Sequence, residues 1–83
     1  MDVRREIIGI LDRALGLGGR AGTFTDATPL LGSVPELDSM GVVTTIGMLE
    51  ERFGLTVADD EIDGATFATL GSLTAFVTDK LRT

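Results

Sequence analysis

Cysteine, histidine, tryptophan and tyrosine are all missing from this chain. Without cysteine there is no disulfide, no thiolate metal site and no thiol nucleophile. Without histidine the usual proton shuttle at neutral pH and the commonest metal ligand are gone. No nucleophile-plus-base pair is left to see. The chain is therefore read as not an enzyme, with no catalytic residue and no resident metal. Basic residues are also scarce, seven against thirteen acidic ones for a formal charge of −6, a balance that repels nucleic acid and anionic lipid. No apolar run is long enough for a signal peptide or a membrane span, so a cytoplasmic location is expected. The two prolines, Pro29 and Pro35, fall in one stretch and limit how it turns.

The 83 residues suit one domain spanning 1–83, of a size that buries only about 60% of its unfolded surface. Charge is uneven along it. Residues 1–20 hold four arginines against three acids, and the remainder holds three basic residues against ten acids. The acidic part either favours partners with basic docking surfaces or simply keeps a small domain in solution; charge alone fits both.

Hydrophobic periodicity predicts helices. From Asp2 to about Leu15, apolar Val3, Ile7, Leu11, Ala14 and Leu15 recur at helical spacing, and Gly16, Gly18 and Gly19 end the run. The stretch from there to Leu37 is too broken by Gly, Thr, Asp and Pro for regular structure, with Phe24, Leu30 and Leu31 expected to pin it over the core. A connection of this length is often functional. From Ser39 to Phe53, Val42, Ile46, Leu49 and Phe53 form one stripe, assigned to the core, and Gly54 closes the helix. Met40, Val43 and Gly47 form a second stripe bordered by Thr44, Glu50 and Glu51, which either packs on another helix of the domain or meets a partner protein. Asp59 to Asp63 reads as a short helical turn. Phe67 is expected to anchor the crossing loop, and Thr69 to cap a last helix with Leu70, Leu73, Val77 and Leu81 inside and Phe76 at the margin. The fold class is all-α: a small four-helix bundle of three main helices and one short one, with a long loop between helices I and II.

The run Pro35-Glu36-Leu37-Asp38-Ser39-Met40 places a hydroxyl just after a capping acid, where the long loop becomes a helix. Together with Thr28-Pro29-Leu30-Leu31-Gly32 before it and a helix ending Glu50-Glu51-Arg52-Phe53-Gly54 after it, this order resembles free-standing bacterial acyl carrier proteins over essentially the whole chain. The resemblance implies that Ser39 receives 4′-phosphopantetheine from coenzyme A through a separate, magnesium-using phosphopantetheinyl transferase. Asp38 is then the motif acid, capping the helix and helping to position the metal during transfer. It also implies acyl-loading and acyl-using partner enzymes, a monomeric protein, and a place in fatty acid or secondary metabolite biosynthesis. The arm's own thiol explains the missing cysteine. Met40, Val43, Thr44, Gly47, Glu50 and Glu51 are the candidate partner-binding face. Fatty-acid-synthesis members carry several acids along this helix, whereas here Gly41, Thr44 and Gly47 stand in their places, which implies a specialised carrier with a less charged docking patch.

An alternative is an unmodified interaction subunit of the same fold, with Ser39 serving only as a first-turn residue. A metal site on Asp59, Asp60, Glu61 and Asp63 is disfavoured, since these oxygens lack the spacing and glycine of an EF-hand loop. Gly9, Gly41, Gly47 and Gly71 fall inside predicted helices, and two explanations fit them: a soft domain with a mobile start to the Ser39 helix, in which Gly41→Ala raises the melting temperature, or close approach of neighbouring chain.

Overall fold

The computed structural model describes residues 2–82, apart from the side chain of Asp59. Three helices run over α1 (Val3–Leu15), α2 (Ser39–Phe53) and α3 (Leu70–Arg82), with short 3₁₀ turns at Arg20–Thr23 and Asp59–Glu61. The fold is all-α, as expected; among the described residues the only strand-like feature is an isolated antiparallel bridge between Pro29 and Thr69. The turn at Arg20–Thr23 is an element the sequence did not announce.

Each helix is started and stopped by side-chain chemistry. Asp2 Oδ1 accepts the Arg5 N–H at 3.2 Å, and Gly16 ends α1 in the left-handed conformation at φ 64°. Gly54, at φ 65°, does the same for α2. At the start of α3, Thr69 Oγ1 accepts the Ser72 N–H while Ser72 Oγ accepts the Thr69 N–H, both at 3.0 Å, a reciprocal cap.

The core lies where α1 meets α2 and α3. α1 contributes Ile7, Ile10, Leu11 and Leu15; Val3 and Ala14 are only half-buried and Ile10 takes a central place. From α3 come Leu70, Leu73 and Val77. Leu81, expected inside, is exposed because the last turn of α3 extends past the buried layer. The inner face of α2 also differs from expectation. Its buried residues are Gly41, Thr45 and Leu49, while Val42, Ile46 and Phe53 sit half-buried beside them. The cause is close approach: a Cβ at Gly41 would lie 2.6 Å from the Glu36 carbonyl oxygen and 2.8 Å from Leu15 Cδ2. Having no side chain there lets α2 turn Gly41 toward the end of α1, and the rest of the helix rotates with it.

Gly41 therefore belongs to the close-approach explanation, not to a mobile helix start. Gly71 is alike, with a Cβ position 2.9 Å from the Asp26 carbonyl oxygen, whereas Gly9 and Gly47 face open space.

The long loop is fastened along its length. Backbone N–H groups of Leu30, Leu31, Leu70 and Gly71 donate to the carbonyls of Ala68, Phe67, Thr28 and Asp26 respectively, at 2.9–3.0 Å. Leu30 and Phe67 are buried by this pairing. Leu31 is not: the Ser33 and Val34 N–H groups both donate back to the Leu30 carbonyl, so the chain turns at Leu31 and leaves its side chain exposed.

Candidate functional site

Ser39 is the first residue of α2 and is exposed. Asp38 precedes it in extended conformation, and its Oδ1 accepts the Gly41 N–H at 2.8 Å, while its carbonyl accepts the Val42 N–H at 2.9 Å. The cap thus consumes one free donor of the first turn. The earlier N–H groups of any α-helix have no partner within it and gather partial positive charge at this end. Among the described residues no side-chain hydrogen bond engages the Ser39 hydroxyl. An exposed hydroxyl at the positive end of a helix of about four turns, with its neighbouring acid turned onto the backbone, suits a negatively charged phosphodiester.

Five of the six residues assigned to the partner face are exposed and Glu50 is half-buried. Met40 is 70% exposed and Val43 63%, and Thr44, Gly47 and Glu51 are exposed with them. Among the described residues, the second stripe of α2 packs on no other helix. Glu50 stands at its edge, half-buried, with Oε2 accepting the Val57 N–H at 2.8 Å.

Two grooves flank α2. One, of about 320 Å³, is lined by Val42, Val43, Ile46, Gly47, Glu50, Val57 and Ile62. The other, of about 190 Å³, lies toward α1 between Ile10, Arg13, Met48, Glu51 and Arg52; Arg52 Nε also bonds Glu6 Oε1 at 2.7 Å. Val57 and Ile62 were missed in the sequence, although two apolar residues flanking an acidic turn are a signal that the turn covers something apolar.

The acidic turn has structural employment. Glu61 accepts the Ala58 N–H at 2.9 Å and both its oxygens bond Lys80 Nζ, at 2.9 and 2.8 Å. The Lys80 ammonium, and next the Ala58 N–H, hold the Glu61 carboxyl below its ordinary value. Asp63 Oδ1 accepts from the Thr66 N–H and hydroxyl. The Asp59 side chain lies outside the described residues. Among the described residues no cluster of three or more acids is placed to hold a metal, and no helix is long and apolar enough to cross a membrane.

The comparisons with known proteins agree with this geometry. The family model described as "Phosphopantetheine attachment site" matches residues 5–77. Among solved structures, the solution NMR structure of a holo acyl carrier protein from Nitrosomonas europaea is 49% identical, covers all of both chains and superposes with a TM-score of 0.91. No curated protein matches the chain. A family match over most of the chain and a full-length structural match of this identity have one consequence: the chain belongs to the acyl carrier protein family, whose members hold a covalent 4′-phosphopantetheine.

Proposed function

We propose that Ser39 is the attachment point of the 4′-phosphopantetheine arm, with Asp38 as the acid that sets up the helix start beside it. The observation that carries this reading is the exposed Ser39 hydroxyl at the N-terminus of α2, with the Asp38 carboxylate committed to the Gly41 N–H. The protein is a carrier of acyl intermediates and not an enzyme. When attached, the arm supplies a terminal thiol on which the acyl group rides as a thioester. The residues of the chain itself do the rest: Ser39 anchors, the first turn of α2 offers N–H groups to the phosphate, and the exposed side of α2 is presented to enzymes.

Those enzymes are a phosphopantetheinyl transferase and the enzymes that load and use the acyl group, docking on Met40, Val43, Thr44, Gly47 and Glu51 with Glu50 at the margin. The exposure of Met40 and Val43 supports this face. The surface is apolar at its centre and acidic only toward its far end, which suits partners that rely on apolar contact more than on a row of basic residues. The groove bordered by Val42, Ile46 and Ile62 supports an apolar cargo. The same reading makes residues 1–83 one carrier domain, acting as a monomer in the cytoplasm, where the coenzyme A that donates the arm is found, and serving fatty acid or secondary metabolite biosynthesis.

Incubation with a promiscuous phosphopantetheinyl transferase and coenzyme A, read by intact-protein mass, tests the attachment. Wild-type protein gains the mass of the arm, and Ser39→Ala gains none while its helical content is unchanged; modification of Ser39→Ala would refute the assignment. For the partner face, Val43→Asp slows acyl transfer by a cognate enzyme and leaves stability within about 0.5 kcal/mol, as expected for an exposed site. Loss of the fold in Val43→Asp would remove Val43 from the docking surface.

A further inference from the structure

We infer that the Arg20–Glu36 ion pair is a strap that positions the first turn of α2, making both side chains positioning residues for the loading of Ser39; this rests on the attachment reading above. The strap belongs to a continuous series of links from α1 to the serine. Asp12, near the end of α1, accepts the Gly19 N–H at 2.9 Å and the Ala21 N–H at 3.2 Å through its carboxylate, and its carbonyl accepts the Leu17 N–H at 3.0 Å. These bonds fix the turn at Arg20–Thr23 against α1, with Ala21 fully buried beneath it. Arg20 is held within that turn by its Nε, which donates to the Leu17 carbonyl at 3.2 Å. Its terminal nitrogen then bonds Glu36 Oε2.

Glu36 is three residues before Ser39, and its own carbonyl is the atom against which Gly41 packs. Leu37 between them is buried, and Asp38 caps the helix. A force on the Glu36 carboxylate is therefore passed to a backbone that touches the first turn of α2 directly. Its own backbone N–H, and next the Arg20 guanidinium, hold the Glu36 carboxyl below its ordinary value. The two partners are sixteen residues apart, so the pair closes the long loop across its ends and not within a single turn.

The physical effect is on the population of chains whose first turn is in place. A transferase that recognises only that arrangement binds with an affinity reduced by the fraction of molecules lacking it, so a loosened strap raises KM while leaving kcat unchanged. An exposed pair of this kind shifts such an equilibrium by about two- to fivefold.

The test uses the whole chain in Arg20→Ala, Glu36→Gln and the reversed pair Arg20→Glu with Glu36→Arg. Amide hydrogen exchange of the unmodified protein is read at Gly41 and Val42 and, as an internal reference, at Val77 in α3. The expected result is two- to fivefold faster exchange at Gly41 and Val42 in each single variant with Val77 unchanged, a rise in KM of a promiscuous phosphopantetheinyl transferase at constant kcat by the factor by which the in-place fraction falls, and recovery of both in the reversed pair. Unchanged exchange in a folded variant, acceleration at Val77 as large as at Gly41, a KM that stays at the wild-type value, or no recovery in the reversed pair would each overturn the strap. Should Arg20→Ala fail to fold, Glu36→Gln carries the same readouts with the side-chain shape kept. Because the exchange measurement needs no prosthetic group, it stands even where wild-type protein gains no mass, an outcome that would sink the attachment reading instead.

Discussion

The two sides of α2 are held in different ways. Toward α1, the helix start is packed tightly, with the Gly41 backbone against the Glu36 carbonyl and the Leu15 side chain, and the side chains of Arg20 and Asp12 binding the chain that leads in. Toward the turn at Asp59–Glu61, contact is made by longer side chains across an open groove: Glu50 reaches the Val57 N–H, and Lys80 reaches Glu61 from α3. The contact of the Gly41 backbone with the Glu36 carbonyl leaves no slack, because neither group is a side chain that can reorient. Side-chain bridges leave room between the segments they join. The attachment serine lies at the end without slack, and the apolar groove opens on the flank that has it.

The largest way to break this contrast is to add one methyl group on the tight side. Gly41→Ala places a carbon where the Glu36 carbonyl and Leu15 already stand, and such overpacking costs about 1–3 kcal/mol. In a domain of this size each kcal/mol lowers the melting temperature by about 4–8 °C. Gly47→Ala, about 9 Å of helix rise further on the slack side and facing open space, has the opposite sign, stabilising by about 0.5–1 kcal/mol through helix propensity. Thermal melts of the two variants side by side decide it; a rise in both would return Gly41 to the mobile-start explanation.

A second change sharpens the picture of the tight side. Thr45 is completely buried on the α1 side of α2 and its hydroxyl has no partner among the described residues. A buried, unsatisfied hydroxyl costs free energy that an apolar group of the same shape does not. Thr45→Val is expected to stabilise by about 1 kcal/mol, read by urea unfolding with an unchanged slope.

The smallest expected effect tests the slack side. The Glu61 carboxyl is held below its ordinary value of 4.5 in the folded chain, so the Lys80 pair contributes stability that is complete above that value and disappears as pH falls through the lower folded one. Glu61→Gln lowers the melting temperature slightly at pH 7, and the gap to wild type closes below the ordinary carboxylate value. A gap that stays constant into acid would show that the pair's charge is irrelevant there.

Much of this could be read in the sequence where the signal is local. Asp38 and Gly54 mark both ends of α2, Thr69 marks the start of α3, and Asp-Ser-Met at a loop-to-helix junction marks the candidate attachment site. What escaped was the choice of inner face. Hydrophobic periodicity weighs Val42, Ile46 and Phe53, but the face was set by Gly41, a residue that contributes nothing to hydrophobicity and everything to how near α1 can come. Thr45 was carried inside with it. Leu31 and Leu81 were misplaced for a related reason: an apolar residue is buried only if a neighbour reaches it. The Arg20–Glu36 pair had no sequence signal at all, since nothing periodic joins residues in a turn and a distant loop.

The backbone bonds between residues 26–31 and 67–71 also impose an order of events on the nascent chain. The segment that leads into α2 cannot be fastened until residues 67–71 have left the ribosome, after the whole of α2 has been translated. Contacts of such long sequence separation form late and set the pace of folding. Ser39 thus emerges well before the loop behind it is secured, and an enzyme that reads the finished shape of this end acts after translation has passed the start of α3.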